Sequence, residues 1–212
     1  MLAQSCWYPA LLVIGTLSLR AQPPGRQRAW LAWLSTDLHN LASHPVRSLL
    51  GSGLVCEGDL VAWTVLALIG LAGVGARFGA PLAAGLVIAV HVLATLASQA
   101  VIGYRIGTGR VPATARVMTD VGPSYLVVAA LIAALLYGRR PAKVAAGLGF
   151  ALLAPSLFGG LAEFEVSAMG HVASIVLAAL LGAAAARQIP PPARDRRAAG
   201  RPGARPGGSI KA

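Results

Sequence analysis

Residues 81–102, PLAAGLVIAVHVLATLASQAVI, contain no Asp, Glu, Lys or Arg. A run of this kind indicates that the chain folds in a lipid bilayer. About 20 mostly apolar residues are enough to cross the hydrocarbon core of a bilayer as a helix. The whole chain of 212 residues is 56% hydrophobic and only 12% charged. Because a soluble domain of this length could not bury so much apolar surface, the composition predicts an integral membrane protein.

Five other apolar runs resemble this one, and we predict six membrane spans. Their residues are 2–19, 60–76, 81–102, 122–138, 143–160 and 167–186. All are rich in Gly and Ala, which allows helices to approach closely in lipid. Lipid offers no partner for backbone polar groups, so the spans must be helices. The predicted fold is therefore an all-α, six-helix transmembrane bundle occupying residues 1–187.

Residues 26–56 fit no span. This stretch is half apolar, contains Trp30 and Trp33, and holds two of the four histidines. Tryptophan is enriched at membrane–water boundaries. We therefore predict a long first loop that lies in or on the outer membrane interface.

The C-terminal end is strongly basic. From Arg187 onward the chain holds seven of its eighteen Lys and Arg residues, with abundant Pro and Gly. This composition predicts a disordered tail over residues 188–212. With the tail inside, inner segments carry eleven Lys and Arg and outer segments carry seven, which predicts both termini in the cytoplasm of a multi-pass cell-membrane protein. A membrane-side tail is also favoured over a nucleic-acid-binding arm, so no nucleic-acid partner is expected.

The two cysteines, Cys6 and Cys56, fit neither a metal site nor a disulfide framework. We expect no metal and no cofactor. The first apolar segment lacks a basic leading region and a clear cleavage site, so it is interpreted as a retained span.

Two polar residues occupy unusual places at the start of predicted spans. Ser124 lies about two residues into the fourth span, and His171 about four residues into the sixth. Both spans run in the same direction, so at about 1.5 Å per residue the two side chains lie roughly 3 and 6 Å below the helix mouths. At such similar depths, the imidazole could take the hydroxyl proton and the serine could attack a carbonyl. Taken alone, Ser124 is more simply a helix cap and His171 a buried polar anchor.

The order of these features resembles the rhomboid superfamily of intramembrane serine proteases, in particular a divergent bacterial branch. The similarity rests on HNLASHPVRSLL, DVGPSY and MGHVAS. It implies that Ser124 is the nucleophile and His171 the base of a dyad. It also implies that the oxyanion is held near Gly122 and by His44 and Ser48, with His39 as a further candidate.

Among the departures from the family pattern, two bear directly on activity. Tyr125 stands where active rhomboids usually have a second glycine, and Ser48 stands where the family has an asparagine. Two functions therefore stay open: a protease that cleaves single-span membrane proteins, and an inactive relative that binds transmembrane segments. A small transporter or channel is a third, weaker alternative, because no carboxylate lies inside any predicted span.

Overall fold

The structure, a computed structural model, describes residues 6–189. Within this range the chain is helical and contains no strand. The helices are α1 Trp7–Arg20, α2 Pro24–Leu34, α3 Leu38–Ser43, α4 Pro45–Ser52, α5 Leu60–Phe78, α6 Ala80–Gly107, α7 Ser124–Tyr137, α8 Arg140–Leu157 and α9 Val166–Gln188, with a 3₁₀ turn at Ala113–Val117. The predicted disordered tail lies outside the described residues, apart from positions 188 and 189.

Six of these helices, α1 and α5 to α9, coincide with the predicted spans. Among the described residues, three helices, α5, α6 and α9, are long and apolar enough to cross a membrane, with mean hydropathies of 1.8, 2.1 and 1.9. Helices α1 and α7 have 14 residues each, about 21 Å at 1.5 Å per residue, and are shorter than a hydrocarbon core of about 30 Å. Helix α8 begins with Arg140 and carries Lys143. The structure thus supports three spans, and the count of six stays a prediction.

The stretch 26–56, predicted as a long loop, is mostly helical. Pro24 and Pro45 occupy the first positions of α2 and α4, where a missing backbone N–H leaves no bond unmade. The Asp37 carboxylate caps α3 by accepting a hydrogen bond from the Asn40 backbone N–H at 2.9 Å. These local start signals divide the segment into three short helices.

Helix α7 lies at the centre of the bundle. All residues from 125 to 134 are buried, and α5, α6, α8 and α9 pack around them. One close approach is at Gly70 on α5, where a Cβ would lie 2.9 Å from the backbone of Ala130 and Leu131. A helix of 14 residues can be accommodated here because other helices, and not lipid, surround it.

Helix α9 presents small residues to α7. Gly170, Ser174, Ala178 and Gly182 recur every four residues and are all buried. A Cβ at Gly170 would overlap the Tyr125 ring, and a Cβ at Gly182 would overlap the Tyr137 ring. The small-residue stripe therefore accommodates two aromatic rings from α7, which sets how α7 is rotated about its axis.

Candidate functional site

His171 lies in the first turns of α9 with 6% of its surface exposed. Its Nδ1 donates a hydrogen bond to the carbonyl of Leu157, the last residue of α8, at 2.9 Å. A carbonyl oxygen can only accept, so Nδ1 carries the hydrogen and Nε2 is left with a lone pair. Nε2 is buried and has no hydrogen-bond partner among the described residues. A backbone carbonyl thus fixes the tautomer that a general base requires.

Ser124 is the first residue of α7 and is partly exposed. Within residues 6–189 its hydroxyl makes no hydrogen bond, and it is therefore not bonded to His171 Nε2. Within these residues neither Ser124 Oγ nor His171 Nε2 makes a hydrogen bond, so the two are not assembled as a hydrogen-bonded pair. The dyad stays a prediction.

Tyr125 is the residue that separates the functional alternatives. Its side chain points into the bundle with 4% exposure. The ring packs edge-on against His171, with centroids 5.4 Å apart and planes at 81°. Its centroid also lies 6.2 Å from the centroid of the His91 ring. The tyrosine ring therefore lies close to both buried histidines, one on α6 and one on α9.

The Tyr125 hydroxyl is anchored where α7 begins. It lies 3.3 Å from the Val166 carbonyl and 3.4 Å from Asp120 Oδ2, and its single hydrogen can be donated to either. Asp120 is itself fixed to the segment between α2 and α3. Its backbone N–H donates to Ser35 Oγ at 3.0 Å, and Thr36 Oγ1 donates to its carbonyl at 2.9 Å. Ser35 and Thr36, which follow α2, thus hold in place the loop that positions Tyr125.

Burial raises the pKa of Asp120, which lies in the loop outside the spanning helices, although hydrogen bonds from Thr36, Gln99 and Tyr125 act in the opposite direction. A folded-state pKa above the unfolded value means that the folded chain binds this proton more readily. The stability of the folded state therefore falls as pH rises from about 4 through the raised pKa.

We expect the Asp120→Asn variant to lack this dependence, because asparagine does not titrate. The difference in unfolding temperature, variant minus wild type, should increase as pH rises from about 4. Thermal unfolding in detergent at several pH values measures it, with the exposed Glu163→Gln as the control for removing one charge. A difference that stays constant with pH would contradict the assignment of this titration to Asp120.

The predicted oxyanion residues differ in exposure and in their hydrogen bonds. His39 and His44 are exposed. Ser48 is fully buried on α4, and its hydroxyl has no partner within residues 6–189. Gly122 has φ 152°, a conformation that favours glycine, and its N–H donates to the Ser52 carbonyl at 3.0 Å. The oxyanion roles stay predictions, and one candidate N–H is already engaged.

Helix α6 contributes a polar face to the bundle. His91, Thr95, Ser98 and Gln99 are buried. His91 Nε2 donates to the Leu49 carbonyl on α4 at 2.9 Å, which is a structural role. Its Nδ1 and the hydroxyls of Thr95 and Ser174 have no partner among the described residues. In the sequence, polar residues recur every four positions at His91, Thr95 and Gln99. This spacing indicates that one face of the helix meets other polar groups.

Two other features of the site were not anticipated. These are the contact of Asp120 with the Ser35–Thr36 segment and the role of the Leu157 carbonyl. Ser35, Thr36 and Asp37 form a polar triplet that is almost completely buried. Consecutive polar residues of this kind in an apolar chain signal a hydrogen-bonded loop. The role of the Leu157 carbonyl could not be predicted from the sequence, because every residue has a backbone carbonyl.

The chain is similar in sequence to one family of known proteins. A family model described as a rhomboid-like protein matches residues 4–187. No curated protein and no solved structure matches the chain.

Proposed function

Because the chain belongs to the rhomboid-like protein family, we propose that it is a membrane protein that binds a transmembrane segment of a single-span client without cleaving it. The observation that carries this proposal is the position of Tyr125. Its ring lies edge-on against His171 and is itself buried. In the proposed state this ring keeps the Ser124 hydroxyl away from the base.

The surroundings of Ser124 support the same proposal. Peptide hydrolysis through a serine needs hydrogen-bond donors for the developing oxyanion, and the loss of one such donor typically lowers the rate by about 10² to 10³. The Gly122 N–H is bonded to the Ser52 carbonyl, and His44 is exposed. An N–H engaged in one bond is a poor donor for another acceptor, so this arrangement favours binding over cleavage.

A protease remains the second candidate because of the His171 tautomer. Its Nδ1–H is held by the Leu157 carbonyl, and Nε2 is ready to accept a proton. Catalytic hydrogen bonds are often loose without substrate and tighten when it binds. In this alternative, client binding would move Tyr125 aside and bring Ser124 to Nε2. For either function we propose a cell-membrane location with both termini in the cytoplasm, on the distribution of Lys and Arg.

A fluorophosphonate probe, which reacts with activated serines, separates the two candidates. We expect the purified full chain in detergent to show no labelling, and Ser124→Ala and His171→Ala to match the wild type. A known intramembrane serine protease in the same detergent is the positive control. Labelling of the wild type that is lost in Ser124→Ala would establish the protease in place of the binding protein.

Binding itself needs a separate measurement. A single-span reporter peptide carrying a photo-crosslinker should crosslink to the wild-type chain and remain uncut. The negative control is a peptide of the same length in which charged residues replace the apolar core, so that it does not insert into detergent micelles. Equal crosslinking of both peptides would contradict selective binding of a transmembrane segment.

A further inference from the structure

A cleft lies between α1, α2 and α4, away from His171. Its volume is about 250 Å³ and its wall is mainly apolar. The residues that form it are Gly15, Ser18, Leu19, Gln22, Trp30, Leu34, Gly51, Leu54 and Val55. Two glycines, Gly15 and Gly51, let the chain segments around the cleft approach one another. A Cβ at Gly15 would overlap the Leu54 carbonyl, and a Cβ at Gly51 would overlap the Leu34 side chain.

The wall of the cleft is close in the chain to a helix that is able to cross a membrane. Val55 on its wall precedes the first residue of α5, Leu60, by five positions, and α5 is one of the three helices able to cross a membrane. Trp30 and Trp33 on α2 are 46% and 47% exposed, with ring centroids 5.3 Å apart. Exposed tryptophans of this kind favour the headgroup region of a bilayer.

Positive charge lies beside the apolar cleft. Arg26 precedes Trp30 by four residues on α2, so the two side chains share a helix face. Helix α2 carries no acidic residue. Within residues 6–189, Arg26 and Arg28 are exposed and make no hydrogen bond or ion pair. An unneutralised cation at one end of an apolar cleft complements an amphiphile with an anionic head.

We propose that this cleft binds one anionic phospholipid, with an acyl chain beside Trp30 and the phosphate group on Arg26. Burial of the acyl chain removes apolar surface from water, and a basic residue attracts an anionic headgroup. The position next to α5 in the chain selects a membrane lipid over a water-soluble phosphate compound. The lipid would join α1 to the α2–α4 segment.

Native mass spectrometry of the full chain, released from detergent with added lipid, tests this proposal. Phosphatidylglycerol and phosphatidylcholine with identical acyl chains are the two probes. We expect one phosphatidylglycerol to be retained per chain, saturably, and phosphatidylcholine to be retained about tenfold less. Equal retention of the two lipids would overturn the proposal.

Two variants locate the site. Arg26→Glu should weaken phosphatidylglycerol retention about tenfold or more. Arg28→Glu is the matched control, with the same charge change two residues along on a different face of α2, and should have a clearly smaller effect. Ser18→Phe places a ring in the cleft without changing charge and should reduce retention of both lipids. Equal effects of the two arginine variants, or unchanged binding in Ser18→Phe, would show that the lipid does not occupy this cleft.

Discussion

Replacing Gly70 with alanine should lower the free energy of unfolding by about 3 kcal/mol, at the upper end of what overpacking usually causes. A Cβ at this position would lie 2.7 Å from the Ala130 Cβ and 2.9 Å from the backbone of Ala130 and Leu131. Backbone atoms in the middle of α7 cannot move aside alone, so α5 and α7 must separate. Unfolding in detergent, by heat or by SDS titration, measures the change.

Gly85→Ala on α6 is the matched control for this substitution. It makes the same chemical change in an apolar helix, but no atom lies within 4 Å of the added Cβ. Its expected effect is zero or a small stabilisation, because alanine favours helix by up to about 1 kcal/mol over glycine. If both variants lost similar stability, the close approach of α5 to α7 would not be what makes Gly70 necessary.

The positions of the apolar helices could be predicted because each is encoded locally. The predicted spans 60–76 and 81–102 became α5, Leu60–Phe78, and α6, Ala80–Gly107. Helix α6 continues five residues beyond the predicted span and includes Arg105. In the structure the Arg105 guanidinium donates to the carbonyls of Glu163 and Phe164 at 2.8 and 3.0 Å. A charged residue can therefore continue a helix when a loop accepts its hydrogen bonds.

The helices within residues 26–56 were harder to predict because their signals are short. Proline at the first helical position and an aspartate cap are visible in the sequence, but each occurs in many loops. What fixes this segment is its long-range contact with the loop before α7, where the Thr36 N–H donates to the Asp120 carbonyl at 3.0 Å. Contacts between residues 84 positions apart leave no periodic pattern in a single sequence.

The candidate site shows the same limit. Ser124 and His171 could be selected from their neighbouring glycines and their place at helix starts. The direction in which the Tyr125 side chain points could not be predicted from the sequence. It depends on the rotation of α7 about its axis, and the small-residue stripe on α9 sets that rotation. The Gly and Ala residues of the spans predicted close helix approach in general, whereas at Gly170 the space receives the Tyr125 ring. The same glycine permits both arrangements, and only the packed bundle distinguishes them.

Removing the Tyr125 ring should therefore convert an unreactive Ser124 into one that the fluorophosphonate probe labels. With the ring gone, His171 Nε2 can reach the serine hydroxyl, and base assistance of this kind contributes a factor of about 10² to 10⁴ in rate. We expect Tyr125→Ala to be labelled on the order of 10²-fold above the unassisted background seen with the wild type. The gain should disappear in the double variants with Ser124→Ala and with His171→Ala.

Tyr137→Ala is the matched control, because Tyr137 is the other ring that α7 packs on a glycine of α9. Both substitutions remove a large ring from the same interface, and each should destabilise the fold by about 3 to 5 kcal/mol, as for other aromatic truncations. Tyr137 lies at the opposite end of α7 from Ser124, so its removal should not raise labelling. Equal labelling of both variants would attribute the reactivity to general loosening of the bundle. No labelling of folded Tyr125→Ala would mean that the missing oxyanion donors, and not the tyrosine, prevent catalysis.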